Sequence, residues 1–187
     1  MNDYPDSPHR HSIRLDGYDY SSEGCYFVTI CASDRECLFG KIVNEEMQMN
    51  GAGRMVERWY LRLEQKFPSI QGLDYVVMPN HFHCILHLGN QLGTLHSDNQ
   101  PVGADLCVRP NTSTAVSLST VIQWFKTMTT NEYYRQVKAG IWPAIRRRLW
   151  QRNYYEHIIR SQLSFDQISD YIRSNPTRWT EDQLFVE

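Results

Sequence analysis

The spacing of apolar positions changes along the chain, and each change marks an element. CYFVTICA, Cys25 to Ala32, is a run of β-branched and aromatic residues that predicts a buried strand. Phe39 to Met49 predicts a hairpin that turns near Asn44 and Glu45. From Gly51 to Phe67 the spacing becomes helical. Met55, Trp59, Leu63 and Phe67 fall on one face, and Pro68 ends the helix. Leu73 to Met78 and His81 to Leu88 return to strand character, broken apart by Pro79-Asn80. Ser119 to Val137 predicts a second long helix, with Val121, Ile122, Phe125 and Met128 on one face. Ile141 to Leu149 reads as a basic connector and Trp150 to Arg160 as extended chain. Ser164 to Ser174 predicts a short helix. Ser164 and Gln167 fit a capping box at its start, and Pro176 disfavours helix at Asn175. Residues 1–23 form a polar, Tyr-rich arm, and residues 89–117 a polar loop long enough to be mobile or functional. There is no internal repeat. The short links between strands favour antiparallel pairing, so the order of elements predicts an α+β layer fold in one domain, 1–187.

Composition narrows the class. The 187 residues are 41% apolar and 21% charged with a net charge of -2, as expected of a soluble globular protein. No run approaches the length of a membrane span, and MNDYPDSPHRHS lacks the apolar stretch of a secretory signal. The five cysteines (Cys25, Cys31, Cys37, Cys84, Cys107) are odd in number and lack CxxC spacing, which points to reduced thiols and a cytoplasmic protein. The charge is uneven. Ser117 to Arg160 holds eight Lys or Arg against two Glu, interleaved with Trp124, Phe125, Tyr133, Tyr134, Trp142, Trp150, Tyr154 and Tyr155. Cations for phosphates and rings for unstacked bases suit a single-stranded nucleic acid. A solvated helix face over an aromatic core is the plainer alternative.

MPNHFHCIL, Met78 to Leu86, places two histidines in an otherwise apolar strand. Strand side chains alternate between faces, so His81 and His83 share one face with Ile85 and His87, while Phe82 points to the other. Two imidazoles about 7 Å apart at Cα can converge on one metal ion. His87 lies roughly 13 Å further along by strand rise, far for the same ion. The terminal helix offers Tyr171 and Asn175 one turn apart, at the edge of a Phe165, Ile168 and Ile172 stripe. An amide oxygen can ligate a metal, and a phenolate can attack an electrophile. YxxxN at a helix end is a weak signal, since such a Tyr also packs and such an Asn also caps.

Together these residues resemble the HUH endonucleases, and the chain as a whole resembles the REP-associated tyrosine transposases. The resemblance runs through SIRLDGYDYSSEGCYFVTICASDRECLFG (Ser12 to Gly40), YVVMPNHFHCIL (Tyr75 to Leu86), LWQRNYYEHIIR (Leu149 to Arg160) and DYIRSNPTRW (Asp170 to Trp179). It implies a ferredoxin-like antiparallel sheet with helices packed on one face. It implies metal ligands His81, His83 and Asn175, with Mg²⁺ or Mn²⁺ as cofactor, and Tyr171 as nucleophile. Tyr154 and Tyr155 compete for that role, but only Tyr171 has an amide one turn away. Related enzymes use Gln for the amide, so the shorter Asn175 departs from that pattern.

The implied reaction is transesterification of single-stranded hairpin DNA through a 5′-phosphotyrosine. No nucleotide cofactor is needed, and the chain has no GxxxxGK[ST] loop. His157 is a candidate general base. Arg146, Arg147, Arg148, Arg152, Arg160, Lys126 and Lys138 are candidate phosphate contacts, with Tyr154, Tyr155 and Trp150 to stack bases or pack beneath them. The arm adds a basic patch of His9, Arg10, His11 and Arg14 that suits an unpaired flank of the hairpin. Two rivals stay open: a catalytically silent hairpin-DNA or RNA-binding protein, and a zinc hydrolase using His81, His83 and His87. Oligomeric state is open between monomer and homodimer, and no membrane association is expected.

Overall fold

A computed structural model describes Asp19, 21–89 and 116–186. His9, Arg10, His11, Arg14, Cys107 and most of the 89–117 loop lie outside the described residues. The elements follow the order read from the sequence. They are β1 (Gly24–Cys31), β2 (Gly40–Val43), β3 (Glu46–Met49), α1 (Gly51–Leu61), α2 (Leu63–Lys66), β4 (Ile70–Val77), β5 (His81–Leu88), α3 (Leu118–Lys138), β6 (Tyr155–Ile159) and α4 (Gln162–Ser174). Four strands form one antiparallel sheet in the order β4-β5-β1-β6. β2 and β3 form a separate hairpin. Its turn residues Asn44 (φ 51) and Glu45 (φ 64) are both left-handed, the backbone a two-residue hairpin turn requires.

The two sheet faces do different things. Tyr26, Val28 and Ile30 of β1 and Phe82, Cys84 and Leu86 of β5 pack against Val56 and Trp59 of α1 and Val121, Ile122 and Phe125 of α3. The Phe82 and Phe125 rings stack at 5.4 Å. Burying side chains of this size contributes about 1.5–3 kcal/mol each, so this face carries most of the fold. On the other face Ile85, Ile159 and Ile172 form a small second core, with Phe27, Phe165 and Ile168 against it. The long helices thus share one face, while α4 lies over the face that carries the histidines. The Phe165, Ile168 and Ile172 stripe sets the rotation of α4, and Arg173 pairs with Asp74 of β4 at 3.0 Å.

Two details of α4 correct the sequence reading. The helix begins at Gln162, and its cap is Ser161, whose Oγ accepts from the Ser164 N–H at 3.2 Å. The Ser164 and Gln167 pattern therefore falls inside the helix. Ser161 leaves β6 with extended backbone, which frees its hydroxyl to cap. Asn175 keeps helical dihedrals (φ -59, ψ -40) despite Pro176, because the chain continues into a turn in which Arg178 N–H reaches the Ser174 and Asn175 carbonyls at 3.2 Å. Among the described residues no helix is long and apolar enough to cross a membrane.

Candidate metal and phosphate site

The strand reading of the histidines holds in three dimensions. His81 and His83 are buried on the same face of β5 with ring centroids 4.4 Å apart. β5 is the inner strand between β4 and β1, so its backbone positions both rings firmly. Each ring is oriented through its other nitrogen. His81 Nδ1 lies 2.8 Å from Asn80 Oδ1, and that amide oxygen can only accept, so the proton sits on Nδ1 and leaves Nε2 with a free lone pair. His83 Nδ1 lies 2.8 Å from Thr29 Oγ1, and a proton on Nδ1 likewise directs the Nε2 lone pair into the site. A partner on the far nitrogen is how metal-binding imidazoles are usually held.

Asn80 explains the Pro-Asn break before the strand. Its Nδ2 donates to the Arg35 carbonyl at 3.2 Å and to the Leu184 carbonyl at 2.8 Å. One buried amide thus fixes His81, a turn after β1 and the C-terminal tail.

α4 brings Tyr171 and Asn175 to the same place. Tyr171 Oη lies 3.3 Å from His83 Nε2. Asn175 is buried, and its Nδ2 donates to Asp182 Oδ2 at 3.0 Å. Tyr171 Oη also donates to Asp182 Oδ2, at 3.3 Å. Asp182 is the residue the sequence reading missed. It follows Pro176 in an irregular tail, where no periodicity places it. The tail is packed down by Trp179 against His81 at 5.8 Å and by Phe185 against Trp179 at 5.3 Å.

His81, His83 and Asp182 offer ligand atoms that all lie within 4.8 Å of one another. Their burial sets the electrostatics. Desolvation pushes the His81 imidazolium pKa down from 6.5 to about 4, opposed by Asp182 and by the Asn175 amide. His83 is held well below its ordinary value by burial and by His81. Both rings are therefore neutral, the form a metal requires. The Tyr171 phenol is pushed up to about 12, first by burial and then by Asp182. His81 Nε2 and Asn175 Oδ1 are buried without a hydrogen-bond partner. Such groups cost about 1–3 kcal/mol each when left unsatisfied. Two neutral imidazoles, a carboxylate and an orphaned amide oxygen fit a divalent cation, and the cluster can hold one.

The depressed His81 value sets a pH dependence. The unfolded chain protonates near 6.5 and the folded chain near 4, so stability is fully present above 6.5 and falls as pH drops towards 4. The full loss from this group is on the order of 3 kcal/mol, and His83 adds to it with the same sign. Urea midpoints measured in metal-free buffer should fall between pH 7 and 4.5. A midpoint that stays constant over that range would contradict the buried neutral pair.

The other expected residues separate into distinct roles. His87 lies at the far end of β5, in register with Cys25 and Gln71. It does not join the cluster, which removes the three-histidine zinc site. The spacing along an extended strand is the reason. His157 is exposed on β6 opposite Phe27, and the groups within hydrogen-bond distance of Tyr171 Oη are His83 and Asp182 instead. Lys126, expected on phosphates, donates to the carbonyls of Gln151, Arg152 and Asn153 at 3.0, 3.2 and 3.0 Å. It lies 5.3 Å above the Tyr154 ring, and burial brings its pKa down to about 8. Its protons hold a loop and are not free for DNA. Tyr154 and Trp150 are buried, and Trp150 donates to Thr129 Oγ1 at 2.8 Å, so both are core residues, not base-stacking platforms. Tyr155, Arg146, Arg147, Arg148, Arg152 and Arg160 are exposed.

No family model matches the chain. A Haemophilus influenzae protein described as uncharacterized is 38% identical over 179 residues, covering 96% of this chain and 94% of that one, and the chain belongs to its family. The solved structure of a REP-associated tyrosine transposase bound to a REP hairpin matches with a TM-score of 0.53 and 19% identity, over 89% of this chain and 74% of that one. The fold is that of the REP-associated tyrosine transposases.

Proposed function

We propose that the chain is a transposase-like enzyme that nicks and rejoins single-stranded hairpin DNA, with Tyr171 as nucleophile. The observation that carries this reading is the placement of Tyr171 Oη 3.3 Å from His83 Nε2, beside a cluster suited to a divalent cation. The solved relative of the same fold is bound to a REP hairpin, which supports a stem-loop as the substrate class.

His81, His83, Asp182 and Asn175 would hold Mn²⁺ or Mg²⁺, with the imidazoles favouring Mn²⁺ over the more oxygen-demanding Mg²⁺. When bound, the ion supplies Lewis acidity to a non-bridging phosphate oxygen. The chain's own residues do the rest. Tyr171 Oη attacks phosphorus, and the bond from phosphorus to the 3′-oxygen breaks. The phenol proton passes to Asp182, whose Oδ2 already accepts from it at 3.3 Å. The leaving 3′-oxygen takes up a proton from solvent, and the 5′ end stays esterified to Tyr171. Attack by another 3′-hydroxyl reverses the step and transfers the strand. Phe27 stands edge-on to Tyr171 at 6.1 Å and stacks with His83 at 5.2 Å, which keeps the phenol ring in place. This chemistry places the enzyme with the DNA of the nucleoid.

The test is incubation of the protein with end-labelled single-stranded hairpin DNA and Mn²⁺, followed by a denaturing gel. The expected result is a slow band that survives detergent and disappears on protease treatment. Cleavage with no adduct would point to hydrolysis, and binding without cleavage to a silent binding protein.

Arg146, Arg147 and Arg148 give a second prediction. Replacing them with Ala should weaken binding to all sequences alike. The slope of log K against log salt should flatten by about 0.7 for each phosphate that is no longer neutralised. An unchanged slope would show that these guanidiniums do not touch the DNA backbone.

A further inference from the structure

The end of the sheet away from Tyr171 carries a second set of polar side chains. His87 lies four residues past His83 on β5, about 13 Å along by strand rise. Directly opposite it stand Cys25 of β1 and Gln71 of β4. Residues paired in this way share a sheet face, with Cβ atoms about 4.5–5.5 Å apart. Cys25 packs there against the small second core of Ile85 and Ile159. His87 is 5% exposed, and its Nδ1 is buried without a hydrogen-bond partner. Gln71 Oε1 is orphaned in the same way. Buried polar atoms are nearly always paired, so two orphans in one cross-strand row point to a ligand between them.

A glycine brings a carboxylate to the same corner. Gly89, two residues past His87, has φ 140, a backbone that glycine adopts at no steric cost. The Glu23 side chain fills the space that a side chain at Gly89 would take, with Oε1 2.6 Å from where its Cβ would sit. Glu23 is also two residues before Cys25, at the start of β1. Burial lowers the His87 pKa from its ordinary 6.5, and the Glu23 carboxylate opposes that shift. The ring is therefore neutral at pH 7, the form that binds a metal. Among the described residues only His81, His83 and Asp182 have three such ligand atoms already within 4.8 Å of one another. At this corner Glu23 is exposed, and rotation of its side chain closes the set.

We propose that Cys25, His87 and Glu23 form a second metal site, for Zn²⁺, separate from the cluster beside Tyr171. Zinc takes thiolate sulfur, imidazole nitrogen and carboxylate oxygen in four-coordinate sites. Cys25 Sγ binds after giving its proton to solvent, His87 offers the lone pair of Nδ1, and Glu23 offers one oxygen. A water in the fourth position donates to Gln71 Oε1, so both orphaned atoms gain a partner. A thiolate selects against the hard ions Mg²⁺ and Mn²⁺, so the two sites differ in the metal they take. The ion ties β1 directly to β5, and through the water to β4. The site is independent of the DNA chemistry above.

The test titrates the reduced full chain with Co²⁺, which takes the place of zinc and reports its ligands by absorption. A sulfur-to-cobalt charge-transfer band should appear in the near ultraviolet, and Zn²⁺ should displace it. The cluster beside Tyr171 is built from nitrogen and oxygen donors, so the band identifies a different site. Cys25→Ser should lose the band. Cys31→Ser, which removes the thiol opposite His81, should keep it. A second readout needs no variant. Zn²⁺ should slow alkylation of Cys25 by iodoacetamide about tenfold or more, read by peptide mass spectrometry. The exposed Cys37 should react at an unchanged rate. A folded wild type without the band, a band that survives in Cys25→Ser, or Cys25 alkylation unmoved by Zn²⁺ would each overturn the site. Any of these would leave a bridging water as the partner of His87 and Gln71, and the transposase reading untouched.

Discussion

Tyr171→Phe is expected to abolish the covalent protein–DNA adduct and strand cleavage while leaving the fold intact. The ring itself does packing work, since it meets His83 at 5.3 Å and Phe27 at 6.1 Å. Phe keeps both of these ring pairings. On a side chain that is 38% exposed, the hydroxyl has two polar neighbours, His83 Nε2 and Asp182 Oδ2, each at 3.3 Å, and its one proton is donated to Asp182. Its removal should change stability by no more than about 0.5 kcal/mol. The same removal deletes the atom that forms the phosphoester, and losing a covalent nucleophile costs on the order of 10⁴-fold or more in rate. Tyr154→Phe and Tyr155→Phe should keep the adduct. Tyr154 is packed under Lys126 and buried, and Tyr155 stands exposed on β6, away from the hydrogen bonds that define the site. Mass spectrometry of a trapped adduct tests the assignment directly. Tyr155 pairs with Thr29 on the same sheet face as His83 but two strands away, and a phosphotyrosyl nucleotide there would end the Tyr171 assignment.

What could be read from the sequence was local, and what could not was brought together by the tertiary fold. Alternation along β5 placed His81 and His83 on one face, because a strand's period is fixed by its backbone. The Phe165, Ile168 and Ile172 stripe set the rotation of α4 for the same kind of reason, and that put Tyr171 and Asn175 beside the histidines. Asp182 had no such signal. It reaches the site because Trp179 and Phe185 pack the tail against His81, a pairing made across the whole chain. Asn80 was read only as a break, yet it holds three separate segments through one amide. The basic aromatic segment misled in a different way. Composition mixes surface and core, and burying Trp150 and Tyr154 on the sheet outweighed presenting them to bases. The same segment's arginines, Arg147, Arg148 and Arg152, stayed at the surface around a cavity, as charged groups without partners must.

His81→Ala and His83→Ala should each remove metal binding and cleavage while leaving DNA affinity within a few-fold. The two rings are the nitrogen donors of the cluster, so removing either leaves a set that binds a divalent ion weakly. The exposed Arg146, Arg147 and Arg148 lie outside that set and should still contact DNA. Calorimetric titration with Mn²⁺ gives the direct reading, and melting gives a second. An ion present at 100 times its dissociation constant stabilises the folded state by about 2.7 kcal/mol. For a chain of this size that raises Tm by roughly 5–10 °C. Wild type should show the shift, and neither variant should. Neither change is neutral for the fold, contrary to what an exposed strand-end histidine would allow. The rings are 0% and 2% exposed, so truncation leaves a cavity and strips a partner from Asn80 Oδ1 or Thr29 Oγ1. The cost should be about 1–3 kcal/mol, read in metal-free buffer so that it is kept apart from the loss of the ion. A wild-type Tm unmoved by Mn²⁺ and Mg²⁺, together with cleavage that survives a chelator, would take the metal out of this site altogether.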